Sequence, residues 1–192
     1  MRIVAGRHKG RPLIAPPGEE IRPTSDRARE SLFNILAHGR VGKTDGAAAL
    51  QGAVVLDAFC GTGALAAEAL SRGAARAILM DNSPAALDLT RANLRELGEE
   101  RQTMLVLADV LEPPARGPSQ PPATLVFLDP PYRSGLGAPA LAALDARGWI
   151  ADAALVVVES EARDPFAPPE GFTLLDERRY GKAKIRFLKK EA

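Results

Sequence analysis

Residues 54–66 read Val-Val-Leu-Asp-Ala-Phe-Cys-Gly-Thr-Gly-Ala-Leu-Ala, and this stretch limits the fold more than any other. The apolar run 53–59 lacks the alternation of a half-exposed strand, so it reads as a central strand of a parallel sheet, covered on both faces. Gly61 and Gly63 then allow a tight turn and close backbone approach to a ligand, and a helix opens behind them with unpaired N–H groups at its start. Gly61-x-Gly63-x-x-Ala66 fits the dinucleotide fingerprint, and Asp81 follows Gly61 by 20 residues, at the end of the next apolar run. An acid there is placed to accept hydrogen bonds from ribose hydroxyls. The pattern predicts an α/β chain that holds a nucleoside-containing ligand.

The rest of the chain continues that rhythm. Strands are expected at 76–80, 103–108, 124–128 and 154–159, and helices at 64–72, 138–147 and from Ser83-Pro84 to Gly98. Ser as N-cap, Pro in the first turn and Gly after the last turn mark the helix from Ser83. The runs 172–179 and 183–188 flank Gly181-Lys182 and predict a closing antiparallel hairpin, giving seven strands after residue 50. Before the sheet, 2–5 and 11–14 around a basic turn predict an N-terminal β-hairpin, and Pro16-Pro17-Gly18 ends it. A helix follows Pro23 and stops at Gly39. Residues 40–52 and the Pro-rich 113–122 read as loops with no role. The domain expectation is a hairpin extension, 1–20, followed by one domain, 21–192.

A net charge of +1 over 192 residues argues against a strongly basic protein, but the charge is unevenly spread. Residues 1–29 carry seven Lys or Arg against three acids, and residues 178–192 seven against one. The middle carries a net −9. Basic ends flanking an acidic body suit a polyanionic partner. Cys60 has no second cysteine to pair with, which points to a reducing, cytoplasmic setting. No apolar run approaches a membrane span, the opening Met1-Arg2-Ile3-Val4 is not that of a secretory signal, and no metal-ligand spacing is present.

Two details narrow the ligand and the chemistry. Asp57 sits at the strand tip beside the glycines, where a pyrophosphate would meet repulsion and a cationic ligand end would not. S-adenosylmethionine, with its ammonium and sulfonium, fits; Asp109, past the third strand, is placed either to receive an adenine amine or to cap a turn. Leu128 is followed by Asp129-Pro130-Pro131-Tyr132, at the strand end where open α/β sheets bind ligands. Two prolines stiffen the backbone and leave carbonyls without competing N–H groups. The Asp129 carboxylate and the Pro130 carbonyl can both accept from one exocyclic NH₂, and Tyr132 can stack on the base, worth about 1–3 kcal/mol. An ordinary carboxylate is a poor proton acceptor for an aryl amine, so Asp129 is expected to stabilise developing charge rather than act as a strong base.

These residues resemble the Rossmann-like S-adenosylmethionine methyltransferases of exocyclic amines. More narrowly they resemble the RsmD family of 16S rRNA guanine-N2 methyltransferases. The likeness runs through Met1–Arg7 with Gly10-Arg11, Arg22–Phe33, Leu56–Gly63, Glu68–Arg72, Asp129–Tyr132 and Val158-Glu159-Ser160-Glu161. The resemblance implies a seven-stranded, mostly parallel sheet with an antiparallel C-terminal hairpin. It implies catalysis at Asp129, Pro130, Pro131 and Tyr132, and cofactor contacts at Asp57, Phe59, Gly61, Gly63, Asp81, Asn82 and Asp109. It implies RNA contact by Arg7, His8, Lys9, Arg11, Arg22 and Arg27, with 16S rRNA, in the small subunit or its assembly intermediate, as the partner of a monomer. Cys60 stands where alanine is common in the family, and Asp81 where glutamate is common. Alternatives at this stage are a DNA-adenine N6 methyltransferase, an NAD-dependent oxidoreductase and a non-catalytic RNA-binding module.

Overall fold

The computed structural model describes residues 1–16, 23–41, 44–131 and 134–192; side chains of 23–28 and 44–45 lie outside the description. Seven strands form one sheet in the order β5-β4-β3-β6-β7-β9-β8. They are β3 (Val54–Ala58), β4 (Arg76–Asp81), β5 (Thr103–Leu107), β6 (Ala123–Leu128), β7 (Ile150–Glu161), β8 (Phe172–Tyr180) and β9 (Ala183–Lys190). Strands β3 to β7 run parallel, and β9 is antiparallel to both neighbours. The chain moves outward from β3 to β5 and then returns to β6 on the other side of β3. That reversal opens a crevice at the carboxyl ends of β3 and β6, the place where such sheets bind ligands.

Helices cover both faces. Helices α1 (Pro23–His38), α3 (Ala64–Ser71) and α4 (Pro84–Leu97) pack on one face, through Phe33, Leu36, Leu70 and Leu94 against Val55, Leu79 and Phe127. Helix α5 (Gly137–Ala146) and Trp149 cover the other face, on Leu56, Val126 and Val156. Ser83 caps α4 as expected, accepting from the Ala86 amide at 3.3 Å, and Gly98 ends it at φ 74°.

Two stretches expected to be idle loops are not. Residues 40–52 hold β1 (Arg40–Val41), β2 (Thr44–Asp45) and α2 (Gly46–Leu50), and Val41 and Leu50 are buried in the core. Residues 113–122 keep no regular structure but stand in for a crossover helix. Trp149 donates Nε1 to the Pro114 carbonyl at 2.8 Å, and the Arg116 amide donates to the Arg147 carbonyl at 3.0 Å.

The N-terminal hairpin is present as a narrow loop, with Arg2 bridged to Pro12 and Ile3 N–H donating to the Arg11 carbonyl at 3.0 Å. Ile3 and Leu13 are buried against Ala67 and Leu97, so the arm shares a small core with α3 and α4.

Candidate active site

The crevice is walled by carboxylates on neighbouring strand ends. Register pairs Asp57 of β3 with Phe127 of β6, and Leu128 with Val158 of β7. Asp129 and Glu159 therefore follow side by side at the carboxyl edge, two residues beyond the level of Asp57. Asp57 is buried; its Oδ2 accepts from the Ala66 amide at 3.0 Å, while among the described residues its Oδ1 has no partner. Burial pushes its carboxyl up to about 7, against the pull of the Ala66 amide and with added repulsion from Asp81. Asp129 opens to solvent on one side. The protein packed around its other sides strips solvation and raises its carboxyl well above the carboxylate range, and Glu159 and then Asp57 add repulsion.

The glycine turn is held from behind. Phe59 adopts φ 63°, a left-handed conformation uncommon for a bulky residue, and thereby turns the chain out of β3. Asp81 accepts from the Gly61 amide at 3.0 Å and from the Ser83 amide at 2.9 Å. Thr90 donates to the Gly61 carbonyl at 2.8 Å, and Asn93 donates to the Thr62 and Ile14 carbonyls at 3.0 and 3.1 Å. The second glycine is tied to its place: at φ 72°, a Cβ on Gly63 would lie 3.0 Å from Thr90 Cγ2. Cys60 lies within 3.9 Å of the Thr90 hydroxyl, and burial, with repulsion from Asp57 and Asp81, pushes its thiol up, so it stays neutral. Thr90, Asn93 and Glu159 went unassigned in the sequence. The signal for the first two was polar residues three apart on the buried face of α4; for Glu159 it was an acid at a central strand end, as for Asp129.

The structure gathers Asp57, Phe59, Gly61, Gly63, Asp81 and Asn82 around the β3 and β4 ends, with Asp129 and Pro130 beside them. Asp109 is exposed past β5, where its Oδ1 caps a turn by accepting from the Leu111 amide at 2.9 Å. Pro130 is buried and Pro131 exposed; Tyr132 and Arg22 lie outside the described residues, and Arg27 is placed only on α1.

The basic arm goes elsewhere. Arg7 N–H donates to the Ser71 carbonyl at 2.8 Å, and Gly6 approaches Ser71 so closely that a Cβ would lie 2.0 Å from its carbonyl oxygen. Ser71 ends α3, so the arm's tip sits at the sheet's amino edge, roughly 12 Å of helix away from the crevice. Arg7 and His8 both bind Glu99, each at 2.5 Å, and Arg11 donates to the Glu96 carbonyl. Lys9 remains exposed.

The comparisons with known proteins agree with this geometry. A family model described as conserved hypothetical protein 95 matches residues 1–189. Ribosomal RNA small subunit methyltransferase D of Escherichia coli K12 is 36% identical over 193 residues, covering 100% of this chain and 91% of the relative. The chain belongs to the RsmD family. The Haemophilus influenzae protein of the same name is 33% identical over 187 residues, covering 97% and 92%. The solved structure of yhhF from Escherichia coli superposes with a TM-score of 0.82 at 35% identity, covering 100% of this chain and 98% of that one. As an RsmD-family chain it is a methyltransferase, and neither an oxidoreductase nor a non-catalytic module fits that membership. Among the described residues no helix is long and apolar enough to cross a membrane.

Proposed function

We propose that the chain transfers a methyl group from S-adenosylmethionine to the exocyclic N2 amine of a guanine in 16S rRNA, in the bacterial cytoplasm. One observation carries the reading. Asp129-Pro130 stands one strand from Asp57, whose buried Oδ1 has no partner among the described residues. A buried polar atom without a partner is costly, and a ligand's ammonium would satisfy it. Asp57, Phe59, Gly61, Gly63, Asp81, Asn82 and Asp109 are the residues that would hold the cofactor. Asp81, occupied by two amides, has lone pairs left for ribose hydroxyls.

S-adenosylmethionine, when bound, supplies an electrophilic methyl on a sulfonium. The chain's part is alignment and proton handling. The Asp129 carboxylate and the Pro130 carbonyl accept the two amine hydrogens and fix the direction of the nitrogen lone pair. Fixing reactants in this way is worth several kcal/mol of barrier. The raised Asp129 carboxyl changes the expectation formed for an ordinary carboxylate: it is better matched to receive the proton released as nitrogen is alkylated. Tyr132 would stack on the base.

The test is labelled-methyl transfer to naked 16S rRNA, to small subunits lacking the modification, and to DNA, followed by nucleoside mapping. Label in N2-methylguanosine of the rRNA or subunit supports the reading. Label in N6-methyladenine of DNA, or none in RNA, overturns it.

A further inference from the structure

The sequence offers two basic ends, and the structure treats them differently. At the N-terminal arm, Arg7 and His8 are engaged by Glu99 and Arg11 by a backbone carbonyl, all at the amino edge. Within the C-terminal hairpin, Arg178 pairs with Asp176 at 3.0 Å, and Lys184 and Arg186 pair with Glu177 at 2.7 and 2.9 Å. Lys190 pairs with Asp145 and Asp152 at 2.8 and 3.2 Å. These cations are occupied within the fold.

The hairpin's tip is different in both place and partners. Ala183 pairs with Glu161, the last residue of β7, so the turn between β8 and β9 rises at the same carboxyl edge as Asp129. The Ala162 amide donates to the Lys182 carbonyl at 2.7 Å, which ties the tip to the segment after β7. Arg163 lies on that segment. Arg163, Arg179 and Lys182 are all exposed, and among the described residues no ion pair engages any of them. Arg179 donates Nε to the Gly181 carbonyl at 3.1 Å, which holds the turn and presents the rest of its guanidinium. The nearby acids are Glu161 and Asp164, and Asp164 Oδ2 already accepts from the Glu161 amide at 3.3 Å. Strands lie about 4.8 Å apart, so β9 stands roughly 10 Å from β6 along the edge. That span is comparable to a step of one or two nucleotides.

We propose that Arg163, Arg179 and Lys182 form a phosphate-binding arm for the RNA backbone beside the target nucleotide. This rests on the RNA methyltransferase reading and says which surface the RNA crosses. Phosphate contacts position a strand without reading its sequence, and their number sets the salt dependence of binding. Arg186 braces the arm from below: buried, it donates to Ser160 Oγ at 2.6 Å and lies 4.9 Å from the Phe166 ring.

The test compares the wild type with a triple variant, Arg163→Gln with Arg179→Gln and Lys182→Gln, on whichever rRNA or subunit substrate the wild type methylates. The expected result is a KM for that substrate raised at least about 10-fold, and a log–log salt slope of binding reduced by about 2. S-adenosylhomocysteine affinity and Tm should match the wild type. KM and salt slope equal to the wild type would overturn the proposal. Should the triple variant lose its fold, Lys182→Glu alone must raise KM, and an unchanged KM there overturns it equally. A wild type that labels no RNA sinks the functional reading instead, so the two failures are distinguishable.

Discussion

Two regions of this molecule gather carboxylates, and they use them in opposite ways. Where the N-terminal arm docks, Glu68 accepts from the Val4 and Ala5 amides at 2.8 and 3.0 Å and pairs with Arg72 at 2.7 Å. Glu99 beside it receives both Arg7 and His8. In the crevice, among the described residues, Asp57 keeps one oxygen without a partner, and Glu159 and Asp57 add repulsion to Asp129. The first pair is saturated by the protein and serves the fold. In the second, Asp57 is left short of a partner, and the carboxyls of Asp57 and Asp129 are raised. An unsatisfied buried acid costs stability, so its presence at the ligand edge of the sheet argues for use rather than structure.

The contrast predicts which substitutions harm chemistry and which harm folding. The largest expected effect is Asp129→Ala, which should lower methyl transfer by about 10²- to 10³-fold, the scale of losing one preorganised partner at a reacting centre. S-adenosylhomocysteine affinity should be retained; single-turnover transfer and calorimetric titration check the two halves. Next is Glu68→Ala, which leaves two amides and Arg72 without their acceptor. It should cost about 3–5 kcal/mol, the scale of breaking a buried ion pair, or roughly 10 °C in Tm by calorimetry. Smallest is Asn93→Ala, which removes three hydrogen bonds linking Ile14 to the glycine turn. About 1–3 kcal/mol is expected in urea unfolding, with weaker S-adenosylhomocysteine binding because Thr62 loses its support.

Much of this was legible because buried parallel strands write themselves plainly. Asp57 and Asp129 are each marked by the apolar stretch that leads into them, 53–56 and 125–128, and by the glycine or proline that soon follows. Residues 40–52 were misread because β1, β2 and α2 are each too short for periodicity, and Val41 and Leu50 become core through tertiary packing, chiefly on α1. The arm's internal partners were hidden for a different reason. Arg7 and Glu99 are 92 positions apart, and charge composition cannot tell a cation with a distant partner from one without. Topology separates them, since the end of α3 fixes the arm's tip at the amino edge while the β9 register lifts Lys182 to the carboxyl edge.

The central claim is that Asp57 is kept one hydrogen bond short for a ligand, and Asp57→Asn tests it most directly. Its folded carboxyl sits at about 7 against an ordinary value of 3.8, so the neutral form is favoured in the fold. The stability this group contributes is complete below pH 3.8 and is lost as pH rises through about 7. The measurement is Tm, with and without S-adenosylmethionine, at pH 5 and pH 8. The account predicts that Asp57→Asn equals or exceeds the wild type in Tm at pH 8 without ligand, and that S-adenosylmethionine no longer raises it. A variant less stable than the wild type at pH 8 that is still stabilised fully by S-adenosylmethionine would contradict it.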